Sequence, residues 1–378
     1  MACHPRYDVC WVSSEIANAR EMPQFIAVSR FKKPRLRKNL GREWLSPAPL
    51  PANVTVRAPA RLHLGFLDLN GGLGRRFGSI GLAVNGPKTS ITISAAPQMR
   101  VTGPERERVV SHVETMRHAL GLAGAYDVRI NEVLPAHAGL GSGTQLALTV
   151  AAALRCLHGL PLDVAGDAAR LGRGARSGVG IGVFEHGGLV VDGGRGTTRT
   201  AAPIVSRMAF PGPWRILLVL DPHRHGVHGL HERESFNMLT PFSDTDAGHL
   251  CRLVLMRALP ALVECDIAAF GSAIKEIQGC MGDYFAPLQG GSRFSSPDVA
   301  GALDMLEREG AIGIGQSSWG PTGFAFAPSA EAAERLLSRA RRDRRCRDLD
   351  LHAYSGLNRG ADIIARQASD EPERQQWK

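Results

Sequence analysis

The chain has 378 residues, of which 44% are hydrophobic and 21% charged, enough for two domains each with its own core. Its net charge of +9 is local: residues 1–50 hold nine Lys and Arg against four Asp and Glu, and residues 339–347 hold six arginines against one aspartate. The basic stretches carry no nucleic-acid module and no interleaved aromatics, so they read as solvated surface, no apolar run approaches a membrane span, and seven cysteines without a CxxC pair point to reduced thiols in a cytoplasm rather than a disulfide framework or a zinc site.

Residues 1–52 read as a disordered basic and proline-rich extension, without the charged-then-apolar order of a secretory signal. The folded part opens with VTVRAPARLHLGF, whose alternation predicts a strand, with a second strand-like run to Leu69. The glycine-rich loop after it holds Asp68, Asn70, Arg75 and Arg76. Residues 80–84 and 89–94 read as two further strands, 107–120 as a helix and 126–132 as a strand.

That strand leads into residues 134–154, LPAHAGLGSGTQLALTVAAAL. Gly139, Gly141 and Gly143 let a backbone approach a ligand closely, and Ser142 or Thr144 can cap the helix that follows from Gln145. Exposed N–H groups at such a helix start suit a phosphate, although glycine turns before helices are also ordinary connections. Asp163 is a candidate N-cap for another helix, and the run GRGARSGVGIGVFEHGG carries Arg176 and Ser177 as candidate anion ligands, with a surface loop as the alternative.

A domain boundary is expected near residues 197–206, before the buried-strand run WRILLVL. The expected domains are 53–205 and 206–366, followed by a polar tail over 367–378. His223, His225, His228 and His231 invite a metal reading, but no cysteine or third ligand stands at matching spacing, so a substrate-facing loop is expected. Residues 248–264, 266–279 and 297–308 read as helices. Residues 313–326 read as a second glycine-rich loop with a strand after it, carrying Gly315 and Ser317, and 329–342 as a basic amphipathic helix.

Three motifs in this order, APAR at 58–61, the loop through Gly139 to Ser142, and the late loop at 313–323, resemble the GHMP kinase superfamily over about residues 53–365. The resemblance implies an α+β fold of two domains, one like the second domain of ribosomal protein S5 and one ferredoxin-like. Where kinases of this superfamily usually have Gly-Leu-Gly-Ser-Ser-Ala, this chain has Gly-Leu-Gly-Ser-Gly-Thr-Gln, and it has glycine at 178 and 180 where several place an acid. ARLHLGFLDLNGGLGR, GLGSGTQLAL and GRGARSGVGIGVFEHGG together resemble the β-ribofuranosylaminobenzene 5′-phosphate synthases, a methanopterin-pathway branch of the superfamily.

The resemblance implies an enzyme joining 5-phosphoribosyl 1-pyrophosphate to 4-aminobenzoate, releasing carbon dioxide and pyrophosphate. It further implies magnesium on the pyrophosphate, no organic cofactor and a homodimer. Asp68, Arg75 and Arg61 are the expected catalytic residues. Asn70, Gly139, Gly141, Ser142, Gly143, Thr144, Gln145, Arg176, Ser177, Gly315 and Ser317 are the expected phosphate and substrate contacts. No protein ligand for a metal is assigned. An ATP-dependent kinase of the same fold is the alternative.

Overall fold

Alternating small and branched residues from Asn53 onward put every second side chain on the core side of a long strand, β1 (Asn53–Asp68), which anchors the molecule. The computed structural model describes residues 50–197, 201–224, 226 and 239–367. Most of the expected N-terminal extension, nearly all of the polar tail, and His225, His228 and His231 lie outside them.

The elements that follow are β2 (Phe77–Ala96), β3 (Arg100–Thr102), α1 (Arg106–Leu120), β4 (Ala125–Glu132), α2 (Ser142–Leu157), α3 (Val164–Arg170), α4 (Val179–His186), β5 (Leu189–Asp192), β6 (Ile204–Met208) and β7 (Arg215–Leu220). Then come α5 (Asp244–Leu253), α6 (Leu259–Glu264), α7 (Ile267–Phe285), α8 (Pro297–Arg308), β8 (Ile312–Gln316), β9 (Gly323–Ala327), α9 (Ala330–Ala340), β10 (Asp350–Tyr354) and β11 (Asp362–Arg366).

One sheet runs β11-β1-β2-β4-β3, with β5 on β2 and β6 on β5; the other runs β10-β7-β9-β8. The two strands expected at 80–84 and 89–94 are one, β2, because both halves pair with β1, from Asn53↔Ser94 to Asp68↔Phe77. The first half of β2 also pairs with β5 and the second with β4, so one strand spans both wings of the sheet. The last strand, β11, returns to the first sheet and pairs with β1.

Helix α2 explains its own position. Its run of Ala, Leu and Val carries no charge before Arg155, and nearly every residue from Gln145 on is buried. Arg155 is held there by a two-pronged ion pair with Asp167 of α3 (Nε–Oδ2 2.5 Å, Nη2–Oδ1 2.8 Å). Asp163 caps α3 as expected, accepting from Gly166 N–H. Two readings change. A helix, α4, forms inside the glycine-rich run at 172–188, its apolar residues being buried against neighbouring layers. Gly315 belongs to strand β8, since the bend of the second glycine-rich segment falls after Gln316.

Candidate active site

Three chain segments are fastened together around one hydroxyl. Ser317 is fully buried; its Oγ donates to the Gly139 carbonyl (2.7 Å) and accepts from the His63 N–H (2.9 Å). Gly139 has φ +79°, and any side chain there would strike the Ser317 carbonyl, so the tight approach of the two loops requires glycine. Arg61 completes the clamp, its Nη1 donating to the Gly139 carbonyl (3.0 Å) and its N–H to that of Leu140 (3.0 Å).

The clamp sets the start of α2 at the wall of a cavity of about 1100 Å³. Gly141, in a left-handed conformation (φ +78°), turns the chain into the helix, and no side chain caps it. Gly141, Ser142, Gly143 and Thr144 all line the cavity. Six arginines line it too: Arg61, Arg76, Arg108, Arg173, Arg176 and Arg195. Among the described residues the one acid in that lining is Glu105, paired with Arg108 (2.8 Å).

The positive charge is concentrated beside the helix start. A β-carbon at Gly143 would lie 3.1 Å from both Arg108 Nη2 and Arg173 Nη1, so the two guanidinium groups flank this glycine. Burial, then the neighbouring Arg108, lowers the proton affinity of Arg173, whose Nε has no hydrogen-bond partner among the described residues. Burial and these same two arginines push His112 of α1 down to about 4. Guanidinium groups crowded together, as Arg108 and Arg173 are at Gly143, are what a multiply charged anion would satisfy.

The expected site residues fall into two groups in the structure. Arg61, Gly139, Gly141, Ser142, Gly143, Thr144, Arg176 and Ser177 come together at the cavity. The others are not in its lining. Asp68 closes the turn beneath it, Oδ1 accepting from Asn70 N–H (2.8 Å) and Gly71 N–H (2.9 Å). Asn70 donates to the Phe242 carbonyl (2.7 Å). Arg75 grips the carbonyls of Gly193 (2.6 Å) and Gly194 (2.7 Å), while Arg76, one residue on, reaches the cavity. Gln145 is buried and donates to the Gly180 carbonyl (2.8 Å), Gly315 packs under Gln278, and Ser317 is the clamp.

Arg108, Arg173, Arg195, His63 and the aromatic wall of Phe66, Phe77 and Trp319 line the cavity without being among the residues expected from the sequence. Arg173 alone carried a signal, three residues before Arg176 in the same run. Ser177 has a partner chain of its own. Ser79 Oγ lies 2.6 Å from Ser177 Oγ and 2.5 Å from Asp192 Oδ2, and Asp192 also accepts from Gly178 N–H (2.8 Å) and Gly194 N–H (2.9 Å). Burial raises the Asp192 carboxyl's affinity for a proton against these four hydrogen-bonding groups.

Among the described residues no three His, Cys, Asp or Glu side chains cluster to hold a metal ion, and Glu105 is engaged by Arg108. None of their helices is long and apolar enough to cross a membrane.

Models of the GHMP kinases N terminal domain and the GHMP kinases C terminal match residues 107–188 and 258–344. Homoserine kinase from Cytophaga hutchinsonii superposes with a TM-score of 0.58 at 15% identity, over 86% of this chain and 100% of the kinase. Mevalonate diphosphate decarboxylase from Staphylococcus aureus gives 0.60 at 15% identity, over 83% of this chain and 98% of its own. These likenesses define the class: a protein with the α+β fold of the GHMP superfamily. The chain is also 34% identical to the beta-ribofuranosylphenol 5′-phosphate synthase of Archaeoglobus fulgidus, over 82% of this chain and 99% of that one. It is 31% identical to the synthase of the same name from Methanothermobacter thermautotrophicus, over 72% and 88%. The chain belongs to the beta-ribofuranosylphenol 5′-phosphate synthase family and is an enzyme.

Proposed function

We propose that this enzyme transfers a 5-phosphoribosyl group from 5-phosphoribosyl 1-pyrophosphate to the carboxyl-bearing ring carbon of a 4-substituted benzoate. Carbon dioxide and pyrophosphate leave. The observation that carries the reading is the arginine-rich cavity built on an uncapped helix start, which suits a substrate with phosphate at both ends. The relatives' name, a ribofuranosyl 5′-phosphate on a phenol, supports the same donor. 4-Aminobenzoate is the acceptor expected from the sequence, and the relatives' name favours 4-hydroxybenzoate as a second.

The reaction balances without an oxidant or reductant. The anomeric C–O bond breaks with its electron pair leaving on pyrophosphate. The ring carbon para to the amine or hydroxyl supplies the pair for the new C–C bond. The carboxyl C–C bond then breaks, and its pair restores the aromatic ring. The chain's part is to hold the leaving anion, align the reactants and exclude water. Arg108, Arg173 and the N–H groups at the start of α2 are the anion holders in this reading; Arg61 and Arg176 extend them. Magnesium, carried on the pyrophosphate, would add charge neutralisation there. A cytoplasmic setting suits both substrates.

Phosphoryl transfer fits less well. Glu105, the one acid among the described residues of the cavity lining, is tied to an arginine, and a side chain at Gly180 would press on Thr144. The test supplies carboxyl-labelled 4-aminobenzoate or 4-hydroxybenzoate with phosphoribosyl pyrophosphate. Labelled carbon dioxide and a ribosyl arene phosphate are expected. Phosphorylation of an alcohol by ATP without carbon dioxide release would overturn the reading.

A further inference from the structure

Beside the arginine-rich cavity lies a small alcove of about 30 Å³, and the two share His63, Phe66, Ser318 and Trp319 in their walls. That volume holds one water-sized group and not an aromatic ring. Its polar walls are mostly spoken for. Gln278 donates to the Leu64 carbonyl (2.8 Å) and accepts from Gln316 N–H (2.7 Å), and Gln316 in turn donates to Gln289 (2.9 Å). His63 is different: it is 2% exposed, and its Nε2 has no hydrogen-bond partner among the described residues.

Burial, reinforced by Arg61, holds the His63 imidazole in its neutral form, well below the usual histidine range. A neutral ring nitrogen can accept a hydrogen bond where an imidazolium cannot. The approach is aromatic. Phe66 meets His63 edge-on at 4.6 Å between centroids, and Trp319 packs on Phe285 at 4.5 Å.

We infer that the alcove is the subsite for the acceptor's para substituent: the benzoate ring lies along Phe66 and Trp319 in the large cavity, its amine or hydroxyl enters the alcove, and His63 accepts the hydrogen bond. The inference rests on the phosphoribosyl-transfer reading. It also assigns His63 a part in the reaction. When the ring carbon attacks, positive charge spreads to the para nitrogen or oxygen and makes its proton more acidic. A hydrogen bond to neutral His63 strengthens at that moment, which favours the transition state over the bound substrate. The carboxylate, at the opposite end of the ring, is thereby directed toward the arginine-rich space where the ribose would stand.

Size and hydrogen bonding make separate predictions, so the experiment has two arms on the full-length enzyme. In the first, 4-aminobenzoate and 4-hydroxybenzoate are compared with 4-(methylamino)benzoate, whose extra methyl exceeds the alcove. The wild type should favour the unmethylated acceptors by about tenfold or more in kcat/KM, of the order a methyl group commands in a closed pocket. Met281 lines the alcove, and Met281→Ala should narrow that preference while leaving the KM for phosphoribosyl pyrophosphate unchanged. In the second arm, His63→Leu should lower kcat/KM for the acceptor by about tenfold or more, and His63→Gln, which keeps an acceptor atom, should recover part of it. Calorimetric titration of 4-aminobenzoate and unsubstituted benzoate gives a readout apart from turnover: the wild type should prefer the amine, and His63→Leu should lose that preference. A wild type that takes the methylated acceptor equally well would overturn the size argument. An unchanged preference in Met281→Ala, or in folded His63→Leu, would overturn the subsite. A wild type that releases no carbon dioxide from either benzoate would instead sink the phosphoribosyl-transfer reading, and the subsite with it.

Discussion

Arg173 is a cation kept in place at a cost to the free protein, so its removal should act on stability and on binding in opposite directions. In Arg173→Met the buried Nε without a partner disappears, and so does the repulsion from Arg108 across Gly143. Replacing this half-buried charge by an apolar chain of similar length is expected to stabilise the ligand-free protein modestly, by less than about 1 kcal/mol. A charge-assisted hydrogen bond to phosphate contributes about 1.5–3 kcal/mol, so pyrophosphate should bind roughly 10- to 100-fold more weakly. His112 reports on the same charge. Arg173 is among the causes that hold it down at about 4, so its titration, followed by NMR, should move upward in the variant. It should also move upward in the wild type when pyrophosphate binds. Thermal melts, calorimetric titration of pyrophosphate and the NMR titration check the three parts. An unchanged dissociation constant for pyrophosphate in a folded Arg173→Met protein would refute the placement of the anion beside Gly143.

The remaining predictions concern stability and the loop below the cavity. His112 has a folded value of about 4 against an ordinary 6.5, so the folded protein holds fewer protons than the unfolded chain between those values. Its contribution is therefore fully present above pH about 6.5 and is lost as pH falls toward 4; urea midpoints should drop over that window, and less so in His112→Leu. Asp167→Ala strands Arg155, which is 6% exposed, without its two-pronged partner, and should destabilise by about 3 kcal/mol in denaturant melts while leaving kcat near wild type. Asp68→Ala opens the turn at Asn70 and Gly71, and Arg75→Ala releases Gly193 and Gly194; each should lower kcat/KM by about tenfold or more by loosening the loop that carries Arg76 and Phe77. A loss in Asp68→Asn, which keeps an acceptor oxygen, as deep as in Asp68→Ala would show that the carboxylate charge itself is used.

The sequence made the glycine loop legible for a local reason. Left-handed turns at Gly139 and Gly141 and an apolar helix after them are written within some twenty consecutive residues, and short-range rules read them well. The same rules separate α3 behind its Asp163 cap from the run before it. They fail where a side chain's direction depends on a distant strand. Arg75 and Arg76 are indistinguishable in the sequence, yet Arg75 turns to Gly193 and Gly194 and Arg76 to the cavity, because Arg76 pairs through its backbone with Arg195. Arg108 shows the same limit on a helix: nothing in α1 marks it, and only the packing of α1 beside α2 brings its guanidinium to Gly143.

The failures share a cause that bears on function. Arg61 comes from β1, Arg76 and Arg195 from a backbone-paired loop, Arg108 from α1, and Arg173 and Arg176 from the segment before α4. Separate elements would not be expected to bring like charges into one cavity for packing alone, since each added guanidinium repels the others and loses hydration. The depressed proton affinities of Arg173 and His112 are the direct sign of that opposition. Arg108 and Arg173, held side by side at Gly143 against that opposition, suit an anionic ligand that reverses the balance, and the proposed donor, a sugar carrying phosphate at one end and pyrophosphate at the other, would supply the charge to do so.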